Sequence, residues 1–288
     1  MLRESPEISR KEYVMANSVN TNVGALIALS SLRTVNREVD VTSKRVQTGY
    51  RVADAQDDAA VFAVAQGIRG DIKAKASVQS SLAGGEGLAQ VTNAALKGIS
   101  DVIGDIRAKL ALLGSGSISD DQRAIYNDDV AQLVDTMTSY TTQANFNGKN
   151  LLISATTDPS TFVADTAGAT LQLTNQDIEL AVSDFQGNST VTDPTTDFDT
   201  ANDALTTLET AVNTAMATIA AEGRALTLQK NFTDDLVDAA KKGLGALVDA
   251  DVAAESANLQ SLQVRQQLNI QALSIANQQP NTLLSLFR

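Results

Sequence analysis

The chain has 288 residues, a formal net charge of −12, no cysteine and no histidine. Those two absences exclude disulfides, thiolate metal sites, imidazole-based zinc sites and His-dependent hydrolytic triads. The length allows one large or two modest domains with a sizeable core. With 7 Phe, 4 Tyr and no Trp, that core rests on Ala, Leu, Val and Ile, which suits close helix packing better than a sandwich or barrel.

The charge is unevenly spread. Residues 1–51 carry eight Lys or Arg against five acidic groups, and residues 252–288 carry two against one. Residues 52–251 carry 12 against 28 and hold all the negative charge. Such an acidic middle repels phosphate, so nucleic acid is not an expected partner. The weakly charged ends are expected to be covered. The polar opening MLRESPEISRKEYV has no apolar core of a cleaved signal, and no segment reaches the roughly 18 apolar residues of a membrane span. Taken alone, these features read as cytoplasmic and predict no membrane insertion.

In chain order, residues 1–14 read as a disordered leader, charged and aperiodic with Pro6, and Met15 is a possible second start position. From Ala16 the pattern is helical. Leu32, Val35, Val39, Thr42 and Val46 recur at spacings of three and four, with Ala25 and Ala28 or Leu29 extending the seam backwards. Thr48-Gly49-Tyr50 offers a C-terminal cap.

Asp57 and Asp58 open a second helix, apolar at Val61, Val64, Ile68 and Ile72 and again from Leu88 through Leu113. Gly84, Gly85 and Gly87 interrupt it, marking either a kink or a close approach by another helix; no strand accompanies them as a phosphate loop requires. After Gly114-Ser-Gly-Ser, Ser119 caps a third helix with Asp120 and Asp121 in its first turn, ending near Asn145, and Asn147-Gly148 signals a turn. Leu151–Ser154, Thr161–Ala164, Thr170–Leu173 and Ile178–Phe185 are short β-prone runs, so residues 151–199 are expected to form an exposed strand-rich insertion. Helix resumes near Asp199, with Leu205, Leu208, Val212, Met216 and Ile219 on one face.

The last stretch, Asp251 to Arg288, has a single charged residue between Ser256 and Phe287, namely Arg265. Its apolar residues, Leu259, Leu262, Val264, Leu268, Ile270, Leu273 and Ile275, lie around most of a helix of roughly 30 residues and about 45 Å. A helix so patterned expects neighbours on several sides. The predicted fold is therefore mainly α: a long antiparallel helical bundle with terminal coiled-coil helices and a small β-rich insertion at mid-sequence. Leu32, Val35, Val39 and Val46 are expected to pack against Leu259, Leu262, Leu268 and Leu273. Adjacent acids such as Asp128 with Asp129, or Asp234 with Asp235, diverge by about 100° on a helix and fit a solvated face, not an acid and base pair. No catalytic residue, metal or cofactor is assigned.

Four motifs in order carry a resemblance: Val19-Asn20-Thr21-Asn22, the segment from Thr48 to Ala60 (TGYRVADAQDDAA), Asn145-Phe146-Asn147-Gly148 followed by Leu151-Leu152, and the ending from Ala276 to Leu286 (ANQQPNTLLSL). Over about 15–152 and 200–288 the chain resembles bacterial flagellin, of the short alphaproteobacterial type. The resemblance implies a subunit that polymerises into the helical flagellar filament for swimming motility, with terminal helices that order on assembly. It implies a terminal coiled-coil domain from 15–58 plus 249–288, a helical outer-tube domain from 59–150 plus 200–248, and a surface insertion from 151–199. Implied partners are further copies, sibling flagellins, an export chaperone, the filament cap and hook–filament junction proteins. Implied localisation is extracellular, reached through type III export with an uncleaved N-terminus, which accounts for the missing signal peptide. Thr190, Thr195 and Thr196 near the tip are candidate O-glycosylation positions. Where many flagellins carry a segment read by innate immune receptors, this chain has Asp105 to Leu110, with Ala108 and Lys109 in place of an acid and Leu; weak activation is expected. The alternatives are a hook–filament junction protein and a secreted coiled-coil adhesin or type III interaction protein.

Overall fold

The computed structural model describes residues 21–153 and 159–285, with side chains described to residue 278. The expectations for residues 1–14 and for helix onset at Ala16 lie outside the described residues. The order of elements is α1 (Val23–Thr48), α2 (Ala59–Leu113), α3 (Asp120–Gln143), β1 (Ser160–Val163), β2 (Thr170–Leu173), α4 (Ile178–Asn188), α5 (Thr196–Val248) and α6 (Val252–Ser285). The chain divides into two compact units, residues 1–67 with 243–288 and residues 68–242.

In the second unit, two helices carry long inward stripes of three and four spacing. On α2 these are Leu82, Gly85, Ala89, Thr92, Leu96, Ile99, Ile103, Ile106, Leu110 and Leu113; on α5 they are Ala201, Leu205, Leu208, Val212, Ala215, Ile219 and Leu226. With Val130, Val134 and Met137 of α3 they close one core, with Tyr126 of α3 and Phe198 of α5 packed against it. Ser119 forms a reciprocal cap on α3: its Oγ accepts from the Gln122 amide at 3.3 Å, and Gln122 Oε1 accepts from the Ser119 amide at 3.1 Å. The C-terminal end of α2 is satisfied by Arg123, buried with its Nη1 donating to the Leu113 carbonyl at 2.5 Å.

The helix runs unbroken through the glycine-rich stretch of α2, from Ala59 to Leu113. Gly85 and Gly87 admit side chains close to the helix. A Cβ on Gly85 would lie 2.9 Å from Leu226 Cδ1 and 3.0 Å from Phe162, and one on Gly87 would lie 2.6 Å from Phe146 Cζ. Phe146 is held there by the turn through Asn147 (φ 51°) and Gly148 (φ 78°), whose two positive φ values match a type I′ hairpin turn.

At mid-sequence the strands β1 and β2 form a small antiparallel sheet, pairing Ser160 with Leu173 and Val163 with Thr170. The run Ile178–Phe185, expected as a strand, is helical and belongs to α4. Its buried residues, Ile178, Val182 and Phe185, stand at positions i, i+4 and i+7, a helical spacing that apolar content alone conceals. This segment is also less exposed than expected: Leu173, Ile178, Val182, Phe185 and Val191 join the core of the unit. Leu151 and Leu152 are buried there too, in a bend and not a strand.

Candidate functional site on the terminal helices

In the first unit, Asn22 starts α1 by accepting the Ala25 amide on its Oδ1 at 3.0 Å. Its Nδ2 donates to the Ala276 carbonyl of α6 at 2.7 Å, so one side chain caps one helix and ties it to the other. At the far end, Arg45 Nη1 meets Glu255 Oε1 at 3.1 Å. Between them Gln266 Nε2 donates to Asn36 Oδ1 at 2.8 Å. These three links, with rising numbers on α1 and falling numbers on α6, define an antiparallel pair.

Among the buried and half-buried positions are Ala25, Ala28, Leu32, Val35, Val39, Thr42 and Val46 along α1, and Glu255, Leu259, Leu262, Gln266, Asn269, Leu273 and Ala276 along α6. Both sets step alternately by three and four, the period of a two-helix coil. Val35, Thr42 and Leu262 are the most deeply covered. Seven of the eight residues expected at the terminal-helix contact thus lie on the shared seam: Leu32, Val35, Val39, Val46, Leu259, Leu262 and Leu273. Leu268 does not pack against the α1 seam. It stands two residues beyond Gln266, about 200° further around the helix, and 56% of its surface is exposed. The polar side chains along the seam, Gln266 with its partner Asn36, and Asn269, had no apolar signal to mark them; Asn22 was visible only as part of a motif.

Beyond Thr48, Gly49 takes the left-handed conformation (φ 71°) and its amide closes α1 onto the Arg45 carbonyl at 2.9 Å. The chain then folds against the link preceding α6. The Ala250 amide donates to the Gly49 carbonyl at 2.9 Å, and the Arg51 amide to the Val248 carbonyl at 2.7 Å. Val52 is buried with Ala65 and Val248, flanked by Phe62 and Leu247. The carboxylates of this turn are used up locally. Asp57 Oδ2 accepts from the amides of Ala53 and Asp54, Asp54 Oδ1 from those of Gln56 and Asp57, and Asp58 Oδ1 caps α2 through Ala60 and Val61. Lys44 Nζ reaches Asp54 at 2.6 Å and Asp57 at 3.1 Å. The Lys44 bond holds Asp54 below its ordinary range, the Ala53 N–H does so first for Asp57, and the Asp54 bond raises Lys44. The chemistry of this cluster is positional: it fixes a turn.

Among the described residues, no group of three or more His, Cys, Asp or Glu is placed to hold a metal, and no helix is long and apolar enough to cross a membrane. Thr190, Thr195 and Thr196 are exposed, but the Thr195 hydroxyl is engaged with Asp193 Oδ1 at 2.6 Å. In the segment 105–110, Arg107 pairs with Glu209, and Lys109 pairs with Asp129 at 2.8 Å while lying over the Tyr126 ring.

What the terminal pair offers is surface. On α6, Val264, Leu268, Ile270 and Ile275 are exposed, as are Leu26, Ile27 and Val41 on α1. Exposed apolar side chains in this number on one helix pair suit an interaction surface. Comparison with known proteins agrees on what such an arrangement belongs to. The pattern described as the bacterial flagellin N-terminal helical region matches residues 19–157, and that of the bacterial flagellin C-terminal helical region matches residues 199–287. Flagellin FljK of Caulobacter vibrioides is 36% identical over 275 residues, covering 94% of this chain and 99% of that one. A flagellin of Brucella melitensis is 35% identical over 282 residues with the same coverage. The solved structure of a putative flagellar hook-associated protein from Vibrio parahaemolyticus shares the fold, with a TM-score of 0.58 over 67% of this chain and 100% of that chain at 14% identity. With both terminal patterns matched and full-length relatives above 30% identity, the chain belongs to the bacterial flagellin family.

Proposed function

We infer that this flagellin is a structural subunit that polymerises into the bacterial flagellar filament outside the cell, and that its terminal helix pair is the assembly element. The observation that carries this reading is the low-charge α6, which fills one seam with α1 and leaves apolar side chains over much of its remaining circumference. The seam residues Leu32, Val35, Val39, Val46, Leu259, Leu262 and Leu273 build the arm, and Leu268 lies on the face turned toward other subunits. A two-helix arm that exposes this much apolar surface has too little burial to offset its conformational entropy alone, so ordering of the arm is coupled to assembly. Residues 15–58 with 249–288 then serve as the inner core of the filament, residues 59–150 with 200–248 as its outer tube, and 151–199 as its surface.

The remaining partners follow from the same reading: an export chaperone that shields the arm before assembly, the filament cap, hook–filament junction proteins and sibling flagellins. Export through the flagellar type III apparatus is consistent with a chain free of cysteine, which threads without disulfides. Exposed Thr190 and Thr196 are accessible positions for O-glycans, and Thr195 is accessible once its hydroxyl leaves Asp193. A mass increment on the intact native protein tests this. A junction role is less well supported, since the relatives that match along the full chain are named as flagellins.

The decisive experiment removes residues 252–288 from the purified protein and examines it by electron microscopy under conditions in which the full chain polymerises. Absence of filaments is expected. Long filaments from the truncated chain would overturn the assignment of the terminal pair.

A further inference from the structure

The sequence holds a single Asn-Gly pair, Asn147-Gly148, and it sits at the centre of the turn that follows α3. An asparagine in this position can lose its side-chain amide to attack by the next backbone nitrogen. Glycine hinders that attack least, because it carries no Cβ to block the approach. Asn147 is exposed, and its carboxamide has no hydrogen-bond partner among the described residues.

The attacking nitrogen is not equally free. The Gly148 amide donates to Oδ1 of Asn145, the residue just past the Ala144 cap of α3, at 2.9 Å. The peptide unit that would have to swing toward the Asn147 side chain is pinned on both sides as well. The Phe146 amide donates to the Lys149 carbonyl at 2.9 Å, and the Lys149 amide to the Phe146 carbonyl at 3.0 Å. An amide proton shared with a well-placed acceptor is harder to remove, and a nitrogen held on one oxygen cannot close on a carbon elsewhere.

We propose that Asn147 is a self-modifying site that Asn145 holds in check. In the reaction, base takes the Gly148 amide proton and the nitrogen attacks Asn147 Cγ. The bond from that carbon to the side-chain nitrogen breaks, ammonia leaves, and a succinimide ring remains. Water opens the ring at one carbonyl to give aspartate or at the other to give isoaspartate, with no net oxidation or reduction. Isoaspartate routes the main chain through a side-chain carbon, in a turn whose φ values of 51° at Asn147 and 78° at Gly148 fit two residues of ordinary length. The lengthened turn cannot keep both bonds between Phe146 and Lys149, so Phe146 loses the anchor that holds it against Gly87. The modification therefore records the time the chain has spent with this turn undone, a property independent of the filament reading.

The test follows the peptide containing Asn147 by mass spectrometry in full-length protein kept at neutral pH, with isoaspartyl methyltransferase labelling to identify isoaspartate. Wild type unfolded in guanidinium chloride should convert about tenfold faster than folded wild type, because the fixed turn is gone. Asn145→Ala, with circular dichroism confirming that it is folded, should convert about fivefold faster than folded wild type, the effect of one lost hydrogen bond. Asn145→Asp keeps an acceptor oxygen for the Gly148 amide and should be no more than twofold faster, which separates the guarding bond from general loosening. Hydrogen exchange on the folded wild type needs no variant and should show a protected Gly148 amide. Conversion of Asn145→Ala at the wild-type rate, of Asn145→Asp as fast as Asn145→Ala, equal rates in folded and unfolded wild type, or an unprotected Gly148 amide would each overturn the proposal.

Discussion

Gln266 of α6 donates its side-chain amide to Asn36 of α1 at 2.8 Å, an amide pair set among the Leu, Val and Ala residues of a largely apolar seam. A polar pair inside a coiled coil lowers its stability and fixes its register, because any slip separates the two partners. Replacing both partners, Asn36→Leu with Gln266→Leu, is therefore expected to strengthen the helix pair by about 1 kcal/mol and to loosen its alignment. The check is a disulfide trap between Asn22→Cys and Ala276→Cys at the end of the pair. Its yield should fall in the doubly substituted background while the thermal dissociation temperature of filaments rises.

Two adjacent glycines of α2 should respond oppositely to the same change. A Cβ at Gly84 meets nothing within 4 Å, so Gly84→Ala should stabilise the second unit by about 0.5–1 kcal/mol through helix propensity. At Gly85 the new methyl lies within 3.0 Å of Leu226 and Phe162, and displacement of those side chains should cost about 1–3 kcal/mol. Urea unfolding of the two variants side by side, with unchanged slope, decides the matter; destabilisation by both would show that α2 bends here.

Phe185 of α4 is fully buried, although it lies in the segment that composition marks as surface. Phe185→Ala should lower stability by about 3–5 kcal/mol, as expected for a large core aromatic. Calorimetry that detected less than about 1 kcal/mol would place α4 outside the cooperative core.

The turn after α1 should weaken in acid. The folded pKa values of Asp54 and Asp57 lie below their ordinary 3.8, so their contribution is fully present above that value and is lost as pH falls through the lower folded values. Lys44 is raised above 10.5, so its contribution persists at neutral pH and is lost only in strong alkali. Hydrogen exchange should show protected Ala53 and Asp54 amides near neutrality and progressive loss of that protection below about pH 4. Asp57→Asn keeps the shape but weakens the pairing with Lys44, and should flatten the response.

The helical class and the period of the terminal helices were legible in the sequence by itself. Leu32, Val35 and Val39 alternate by three and four, and such a period has one physical solution, a helix with one face covered. The caps at Gly49, Asp58 and Ser119 were legible for a similar reason, since each depends on one residue and its immediate neighbours. Tertiary structure decided what depends on distant residues. Leu268 and Leu273 are chemically identical and five residues apart, and only the position of α1 makes one a seam residue and the other an outward one. Ile178–Phe185 has the composition of a strand, and only the shape of the core it enters made it a helix. The glycines of α2 were ambiguous between bend and close approach until Leu226, Phe162 and Phe146 were seen against them. Local periodicity specifies a face; which partner meets that face is set by chain segments up to about 250 residues away, as the bond between Asn22 and Ala276 illustrates.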